Sequence, residues 1–231
     1  MVALGDPSLP IPEGTTWTFA PAGAAWYRIY HEDRFTPTAI FRRTYGPLHR
    51  FDHHLPHISA PDIDPEGRSV IYIAAAIRTA ALEVYGDEPR YEVCPRWRIA
   101  QVRPTASVEL QDISAESDGG AVAIGALPEL GAGSSVPREK SQLWARELYA
   151  TGRVGGIRYG GAHDLAQCVV IWDNGPDLEV VHDGGVAQDF KIRAPAIWSR
   201  VIGEYGPTGR YLDKIKSADC PLCRKAGLAS P

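Results

Sequence analysis

An apolar strand that leads directly into a helix of small residues is the feature that most restricts how this chain can fold. It lies in SVIYIAAAIRTAALEVYGD, residues 69–87. VIYIA has the β-branched and aromatic content of a buried strand, and Gly86 is expected to end the helix that follows. Glu83 flanks the apolar stripe of that helix. A period of 3.6 residues forms the stripe from Ile77, Ala80, Ala81 and Val84.

Glu83 has no basic residue at the helical spacings where a pairing partner is expected. Residues three and four positions away are neighbours on a helix surface, and a lysine or arginine there would explain the carboxylate. These positions instead hold uncharged residues and one like charge, namely Thr79, Ala80, Gly86 and Asp87. A local ion pair therefore does not account for Glu83.

Length and composition indicate one globular domain with extensions. The chain has 231 residues, of which 44% are hydrophobic and 23% are charged, and these values are typical of ordinary globular proteins. We expect residues 1–22 to form a proline-rich lead-in, residues 23–215 to form the domain, and residues 216–231 to form a tail.

Charge and hydropathy argue against two classes of partner. The net charge is −4 and the pI is near 6.0, with basic residues scattered along the chain, so no nucleic-acid partner is expected. The sequence shows neither a signal-like segment nor eighteen consecutive apolar residues, so we expect a cytoplasmic protein with no membrane partner. The nucleotide-binding patterns GxGxxG and GxxxxGKS/T are also missing.

The order of the predicted elements favours a mixed α+β fold. Residues 31–68, rich in proline and histidine, are expected to form a long functional loop. Because strands and helices do not alternate regularly, a parallel doubly wound sheet is disfavoured. Further strands are predicted at 24–30, 96–104, 107–113, 155–161 and 167–173, a hairpin at 174–185, and helices at 139–150 and 194–206.

The four cysteines do not suggest a disulfide framework. Cys94 and Cys168 lie in apolar strand-like context, where a reduced cysteine behaves as a small hydrophobe. Cys220 and Cys223 form a CxxC pair, which is half of a four-ligand zinc site, but no second pair lies at zinc-ribbon spacing. We interpret the pair as part of an exposed tail, with redox activity and a metal as alternatives, and we expect no metal to be required.

Four histidines in HRFDHHLPHIS offer a second candidate for a metal site. Adjacent His53 and His54 point in different directions on any regular backbone, and no carboxylate or cysteine arrangement around them is decisive. We therefore favour a solvated, pH-sensitive loop beside a cleft. Its histidines are His49, His53, His54 and His57.

Arg28 and Tyr72 each allow two readings when taken singly. On an alternating strand Arg28 shares a face with Trp26 and Tyr30, where a planar guanidinium suits phosphate or carboxylate oxygens. An edge-strand arginine paired with a nearby carboxylate, Glu32 or Asp33, is equally compatible with the sequence. A tyrosine within an aliphatic strand, such as Tyr72, is usually a core residue.

Five sequence pieces in a fixed order resemble one known family. They are YRIY, GPLHRFDHH, VIYIAAAIRTAALEVYG, SQLWARELYATGRVGGIRYGGAHD and QCVVIWD. In this order they resemble the RES domain, the fold of NAD-consuming toxins from bacterial toxin–antitoxin pairs. The resemblance implies an ADP-ribosyltransferase-like α+β fold, with two small packed sheets, flanking helices and a cleft that binds NAD as the substrate.

The resemblance assigns roles to four side chains. Arg28 matches the first-strand arginine and Arg50 the turn arginine, and both would hold the pyrophosphate of NAD, for which a guanidinium fork is suited. Tyr72 matches the strand tyrosine and would stack near the nicotinamide ring. Glu83 matches the helix glutamate, and Glu83 and Tyr72 would be the catalytic pair.

If Glu83 is the catalytic glutamate, the reaction itself supplies the positive charge that no neighbouring residue on the helix provides. Cleavage of the nicotinamide–ribose bond develops oxocarbenium-like charge on the sugar, which a preorganised carboxylate stabilises in the transition state. Hydrogen bonding to a ribose hydroxyl, or orientation of the incoming phosphate, water or protein side chain, are the alternatives.

One position departs from the family pattern. The family's G-I-x-Y-x-S ends here as GIRYGG, so the serine corresponds to Gly161. A glycine supplies no hydroxyl, but its backbone N–H can approach a phosphate closely. His163 keeps the histidine that trails the pattern. Gly161 and His163 complete the residues that the resemblance assigns to NAD binding.

The resemblance implies an enzyme that cleaves NAD with phosphate or water as acceptor and depletes cellular NAD. Two alternatives stay open, namely transfer of the ADP-ribosyl group to a protein, and a catalytically weakened relative that binds a nucleotide or a partner protein. The family context also implies an antitoxin partner of the Xre type.

Overall fold

The computed structural model describes residues 4–132 and 136–228. The described residues divide into two compact units, each built from segments that are distant in sequence. The first unit takes its residues from Met1–Gly23, Arg42–Tyr72 and Pro104–Asp177, and the second from Ala24–Phe41, Ile73–Arg103 and Leu178–Pro231.

Strands and helices are mixed along the described chain. The strands are β1 (Thr16–Phe19), β2 (Trp26–His31), β3 (Tyr45–Gly46), β4 (Asp62–Ile63), β5 (Val70–Ala74), β6 (Arg90–Val93), β7 (Trp97–Pro104), β8 (Val108–Asp112), β9 (Gly156–Gly160), β10 (Gln167–Trp172), β11 (Leu178–Val180), β12 (His182–Asp183), β13 (Val186–Ala187), β14 (Asp189–Lys191) and β15 (Tyr211–Lys214). The α-helices are α1 (Ile77–Tyr85), α2 (Arg138–Ala150), α3 (Pro195–Tyr205) and α4 (Pro221–Lys225). Short 3-10 helices span Gly120–Ile124, Pro128–Leu130 and Gly206–Thr208.

The first unit is built on a mixed sheet in which β1, β8, β9 and β10 are neighbours in that order. β8 pairs with β1 in antiparallel and with β9 in parallel orientation, and β9 pairs with β10 in antiparallel orientation. Val169, Val170 and Ile171 of β10 are all fully buried, as expected for a strand covered on both faces. Trp144 of α2 is also buried, and its indole N–H donates to the carbonyl of Gly5 at 3.1 Å.

The second unit centres on β2 and β7. All six residues of β2 pair in antiparallel orientation with β7, from Trp26 opposite Val102 to His31 opposite Trp97. α1 packs against β2 and α3. β6 and β15 form a separate parallel pair. Tyr85, at the end of α1, is buried and meets the ring of Trp97 edge-on at 5.1 Å.

The structure confirms the mixed α+β class and most of the predicted elements. The predicted strand–helix segment is present as β5 and α1, and Gly86 caps the helix. The predicted apolar stripe is wrong in part, because Val84 is only partly buried. The helix instead buries Ile77, Thr79, Ala80, Ala81, Leu82 and Tyr85.

Both ends of the chain contain structure that the sequence did not indicate. The proline-rich lead-in contributes β1, which pairs with β8. The C-terminal segment forms α4, and Cys220 and Cys223 are 2% and 0% exposed. The expectation that this CxxC lies in an exposed tail is therefore wrong. Among the helices of residues 4–132 and 136–228, none has the length and apolar character needed to cross a bilayer.

Candidate functional site

Tyr72 fixes the loop that carries Arg50. Its hydroxyl donates a hydrogen bond to Oδ1 of Asp52 at 2.8 Å and accepts one from the backbone N–H of Phe51 at 3.1 Å. The phenol ring is partly exposed, and the imidazole of His49 meets it edge-on at 5.5 Å between centroids. The hydroxyl is therefore committed to the loop, while part of the ring remains accessible.

Asp52 is a buried charge at the centre of this loop. Its Oδ2 accepts hydrogen bonds from Nη2 of Arg43 at 2.7 Å and from the N–H groups of Leu48 and His49 at 2.5 and 3.0 Å. Burial alone would raise the pKa of Asp52, but Arg43, His49 and these backbone donors outweigh it and hold the pKa well below its usual range. Burial, and then the charge of Asp52, raises the pKa of Tyr72 well above its usual value. Tyr72 is thus a neutral phenol.

Arg50 carries a guanidinium charge that no carboxylate neutralises within the described residues. Nη2 donates to the carbonyl of Leu130 at 2.9 Å, and Nη1 lies 3.5 Å from the carbonyl of Gly160. The guanidinium carbon also lies 5.0 Å from the ring centroid of Phe51 and 5.5 Å from that of Tyr159. These neutral contacts orient the group, and a guanidinium whose charge is not compensated by any carboxylate in residues 4–132 and 136–228 suits an anionic ligand.

Gly161 uses its backbone in the turn that follows β9. Its N–H donates to the carbonyl of Ala166 at 2.8 Å, and its carbonyl accepts from the N–H of Leu165 at 3.1 Å. The N–H that the sequence offered as a phosphate contact is therefore engaged within the turn. His163 lies in the same turn, is partly exposed and takes part in a further interaction.

In the second unit, Arg28 lies in the middle of β2 and is partly buried. Its Nη1 donates to the carbonyls of Ala39 and Phe41 at 2.6 and 2.8 Å. The guanidinium carbon lies 5.8 Å from the ring centroid of Tyr30. The prediction that Arg28 and Tyr30 share one face of the strand is therefore confirmed. These bonds hold the end of the segment that follows β2 and fix the direction of the guanidinium.

Glu83 is exposed near the C-terminal end of α1, on a helix that packs against β2. It takes part in an interaction within the fold. The lack of a basic neighbour along the helix is therefore not a lack of any partner, and it does not by itself mark Glu83 as functional. Its exposure does leave the carboxylate accessible to a substrate.

The histidine-rich loop is only in part the solvated loop that the sequence suggested, because His49 and His57 are exposed whereas His53 and His54 are not. His53 and His54 are fully buried. Nε2 of His53 lies 2.7 Å from Oδ1 of Asp173, whose other oxygen accepts from the hydroxyl of Tyr149 at 2.7 Å. Burial lowers the pKa of both histidines, so both are neutral core residues. The group of possible metal ligands found in the described residues includes none of the loop histidines.

Comparison with known proteins decides the family. The sequence matches the RES domain over residues 25–216. The chain belongs to the RES domain family. No curated protein matches the sequence.

The RES assignment agrees with the similarity of the fold to a solved structure. A chain of the crystal structure of the M. tuberculosis MbcT–MbcA toxin–antitoxin complex superposes with a TM-score of 0.52. The two sequences are 12% identical, and the match covers 80% of this chain and 92% of that chain. At this identity the likeness shows a shared fold.

The RES match contains every residue that the sequence singled out for NAD. In the first unit, the structure brings Arg50 next to Tyr72 through the 48–53 loop and next to the end of β9 through Gly160. In the second unit, Arg28 and Glu83 lie on β2 and α1, which pack together. Sequence reasoning missed Asp52, although its position two residues after Arg50 in HRFD was the available signal.

Proposed function

We propose that this RES domain protein binds NAD and cleaves the bond between nicotinamide and ribose, with phosphate or water as the acceptor. The reaction would deplete NAD in the cytoplasm, as a toxin does. The observation that carries the proposal is the guanidinium of Arg50, whose charge no carboxylate among the described residues compensates. It is oriented by the backbone carbonyls of Leu130 and Gly160, within a domain that matches the RES family over residues 25–216.

Arg50 of the first unit is the proposed ligand of the pyrophosphate. A dinucleotide carries two negative charges at its pyrophosphate, and a partly buried guanidinium without a carboxylate partner gains a charge-assisted bond when such an anion binds. Arg50 supports this role because its present acceptors are neutral carbonyls. Arg28 of the second unit is proposed as a phosphate-binding group because it matches the first-strand arginine of the family pattern, and its Nη1 donates to the carbonyls of Ala39 and Phe41.

Tyr72 would contribute its ring rather than its hydroxyl. The hydroxyl is held between Asp52 and the N–H of Phe51, and its pKa is well above the usual value, so it is unsuited to exchange protons near neutral pH. A partly exposed ring beside the imidazole of His49 offers a stacking surface for a flat heterocycle such as nicotinamide.

Glu83 would stabilise the cationic ribose in the transition state. A carboxylate placed where positive charge develops lowers the barrier without strengthening ground-state binding to the same extent. Support comes from its exposure near the end of α1, on the helix that packs against the strand of Arg28. The role requires only that the carboxylate reach the sugar.

A catalytically weakened NAD-binding relative is the second candidate. It is favoured by Gly161, which replaces the serine of the family pattern and whose N–H is engaged with Ala166. Transfer of the ADP-ribosyl group to a protein is the remaining alternative for an active enzyme. These candidates predict different products from the same incubation.

An antitoxin partner of the Xre type is part of the proposal. The protein of similar fold was crystallised in a toxin–antitoxin complex, and membership of the RES family supports a partner of the same kind here. Coexpression with a candidate antitoxin of the Xre type, followed by size-exclusion chromatography, would test the assembly.

Incubation of the purified protein with NAD, in buffers with and without phosphate, tests the activity. Chromatography would follow nicotinamide, and mass spectrometry would distinguish ADP-ribose, its 1-phosphate and modified protein. We expect Glu83→Gln to lower kcat by roughly 10²–10³-fold with KM within a few-fold of the original. Glu88→Gln, an exposed glutamate just beyond α1, is the matched control. Absence of nicotinamide release by the unaltered protein would favour the binding-only relative, and equal turnover by Glu83→Gln would refute the role of Glu83.

A further inference from the structure

A buried group of one histidine and three cysteines lies in the second unit, outside the residues assigned to NAD. His31, Cys94, Cys220 and Cys223 are 5%, 0%, 2% and 0% exposed. One ligand atom from each lies within 4.8 Å of all the others. The CxxC pair thus has two further partners, His31 and Cys94. The sequence did not reveal them because they lie far from the pair along the chain.

Four of the six separations between these atoms match those around one tetrahedral zinc ion. With Zn–S near 2.3 Å and Zn–N near 2.0 Å, tetrahedral ligand atoms lie about 3.8 Å apart for two sulfurs and about 3.5 Å apart for nitrogen and sulfur. Here Sγ of Cys94 and Sγ of Cys223 are 3.6 Å apart. Nε2 of His31 lies 3.4 Å from Sγ of Cys94, 3.4 Å from Sγ of Cys223 and 3.9 Å from Sγ of Cys220.

We infer that His31, Cys94, Cys220 and Cys223 form a structural Zn²⁺ site of the Cys₃His type. Four buried soft ligands facing one point at these distances are the donor set and geometry that zinc prefers. A disulfide is a poor alternative, because an S–S bond is about 2.0 Å long and all four cysteines are free thiols.

The surroundings of His31 provide independent support. Nδ1 of His31 lies 3.0 Å from Oδ2 of Asp33. The other oxygen of Asp33 accepts the N–H groups of Phe35 and Thr36 at 2.7 and 2.9 Å. An aspartate anchored in this way accepts a hydrogen bond from Nδ1–H of His31. The proton is then on Nδ1, and the lone pair of Nε2 faces the sulfurs. Zinc-bound histidines commonly have such a carboxylate partner on the second ring nitrogen.

The local folding explains how three distant segments meet. His31 ends β2, and Cys94 directly follows β6. β15 pairs with β6 in parallel orientation up to Lys214 opposite Val93, which brings the following residues toward Cys94. Cys220 then precedes α4, and the first turn of that helix carries Cys223.

The site would attach the C-terminal segment to the RES domain. The family match ends at residue 216, so Cys220 and Cys223 lie beyond it, whereas His31 and Cys94 lie within it. His31 also belongs to the strand of Arg28. With all four positions filled by protein ligands, the ion would have no open position for substrate and would stabilise structure rather than act in catalysis.

Metal content and a cobalt spectrum test the inference. The full chain, purified under reducing conditions without chelator, should contain about one zinc per chain by inductively coupled plasma mass spectrometry. Replacement of zinc by Co²⁺ should give the intense visible bands of a tetrahedral ion and thiolate-to-cobalt charge transfer in the near ultraviolet. Removal of zinc by a strong chelator should lower the melting temperature.

Two serine variants locate the ion. Cys223→Ser should lose most of the zinc, whereas Cys168→Ser, which alters an equally buried thiol of β10, should keep it. Full zinc retention by Cys223→Ser would overturn the inference. If that variant is insoluble, the cobalt spectrum of the unaltered chain decides. Reconstituted protein that binds no zinc and gives no tetrahedral cobalt bands would also overturn it.

Discussion

The hydroxyl of Tyr72 lies 2.8 Å from Oδ1 of Asp52 and donates its proton to that buried carboxylate. The hydroxyl oxygen of Tyr72 accepts a hydrogen bond from the backbone N–H of Phe51 at 3.1 Å. Through these two bonds a strand residue fixes the loop on which Arg50 is carried. The hydroxyl of Tyr72 therefore has a structural role, which is separate from any contact of the ring with a ligand.

Tyr72→Phe should therefore destabilise the protein, although it keeps the ring. Loss of the hydroxyl leaves Asp52 with one bond fewer in a buried position, which typically costs about 1–3 kcal/mol. Denaturant unfolding would measure this change in the free energy of unfolding. Tyr45→Phe, at a tyrosine that is 43% exposed, should change it by less than about 0.5 kcal/mol. Equal stability of the two variants would show that the Asp52 bond contributes nothing.

Arg50→Lys should weaken binding of NAD more than it weakens the fold. Lysine keeps the charge but loses the planar fork that is held between the carbonyls of Leu130 and Gly160. We expect Kd for NAD to rise about tenfold, equivalent to about 1.4 kcal/mol. Isothermal titration calorimetry would measure Kd, and a thermal melt would check that the variant is folded.

Arg103→Lys is the matched control for Arg50→Lys. Arg103 is an exposed arginine paired with exposed Glu179 at 2.6 Å, and such surface pairs contribute little. An increase in Kd of similar size in both variants would contradict a specific role for Arg50.

Local patterns predicted the elements, whereas contacts between distant residues had to come from the structure. Periodicity and glycine placement were sufficient for β5 and α1, because these depend on neighbouring residues. The Asp52–Tyr72 bond joins residues 20 positions apart, and Cys94 lies 129 positions from Cys223. No local pattern encodes such pairs, so the Asp52–Tyr72 contact and the meeting of His31, Cys94, Cys220 and Cys223 were not predicted.

The family resemblance supplied what periodicity could not. Arg28, Arg50, Tyr72 and Glu83 were selected by motif position, and all four lie within the matched residues 25–216. The sequence singled out Glu83 because no basic residue lies three or four positions away on the helix. That reason is weak, because such a side chain can still interact with another part of the fold, as Glu83 does. Burial of His53 and His54 was also missed, since a loop with many polar residues is usually solvated.

Gly161→Ser tests whether the departure from the family pattern limits catalysis. The backbone of Gly161 does not adopt a positive φ, so a serine is compatible with its conformation. If a hydroxyl is needed at this position, kcat for NAD cleavage should rise several-fold in the variant. Gly152→Ser, at a glycine with φ of 65° outside the site, should only lower stability. An unchanged kcat in a folded Gly161→Ser protein would show that the missing hydroxyl does not limit the rate.

Stability should fall as the pH is lowered from about 7 to 5, because His53 and His54 are buried as neutral rings. Burial lowers the pKa of each below its usual value, despite the nearby carboxylates Asp173 and Asp52. Below about pH 6.5 the unfolded chain takes up protons that the folded chain does not bind, so the free energy of unfolding decreases. The loss continues until the pH passes the lowered pKa of the folded state.

His54→Gln should reduce this pH dependence. Each such histidine contributes a slope of up to about 1.4 kcal/mol per pH unit in that window. A glutamine amide can replace the hydrogen bond from Nε2 of His54 to the carbonyl of Arg43, but it does not titrate. His57→Gln, at an exposed histidine, is the control for replacing an imidazole by an amide. Denaturant unfolding at several pH values measures the slopes, and an identical slope in His54→Gln and the unaltered protein would contradict the assignment of a neutral buried His54.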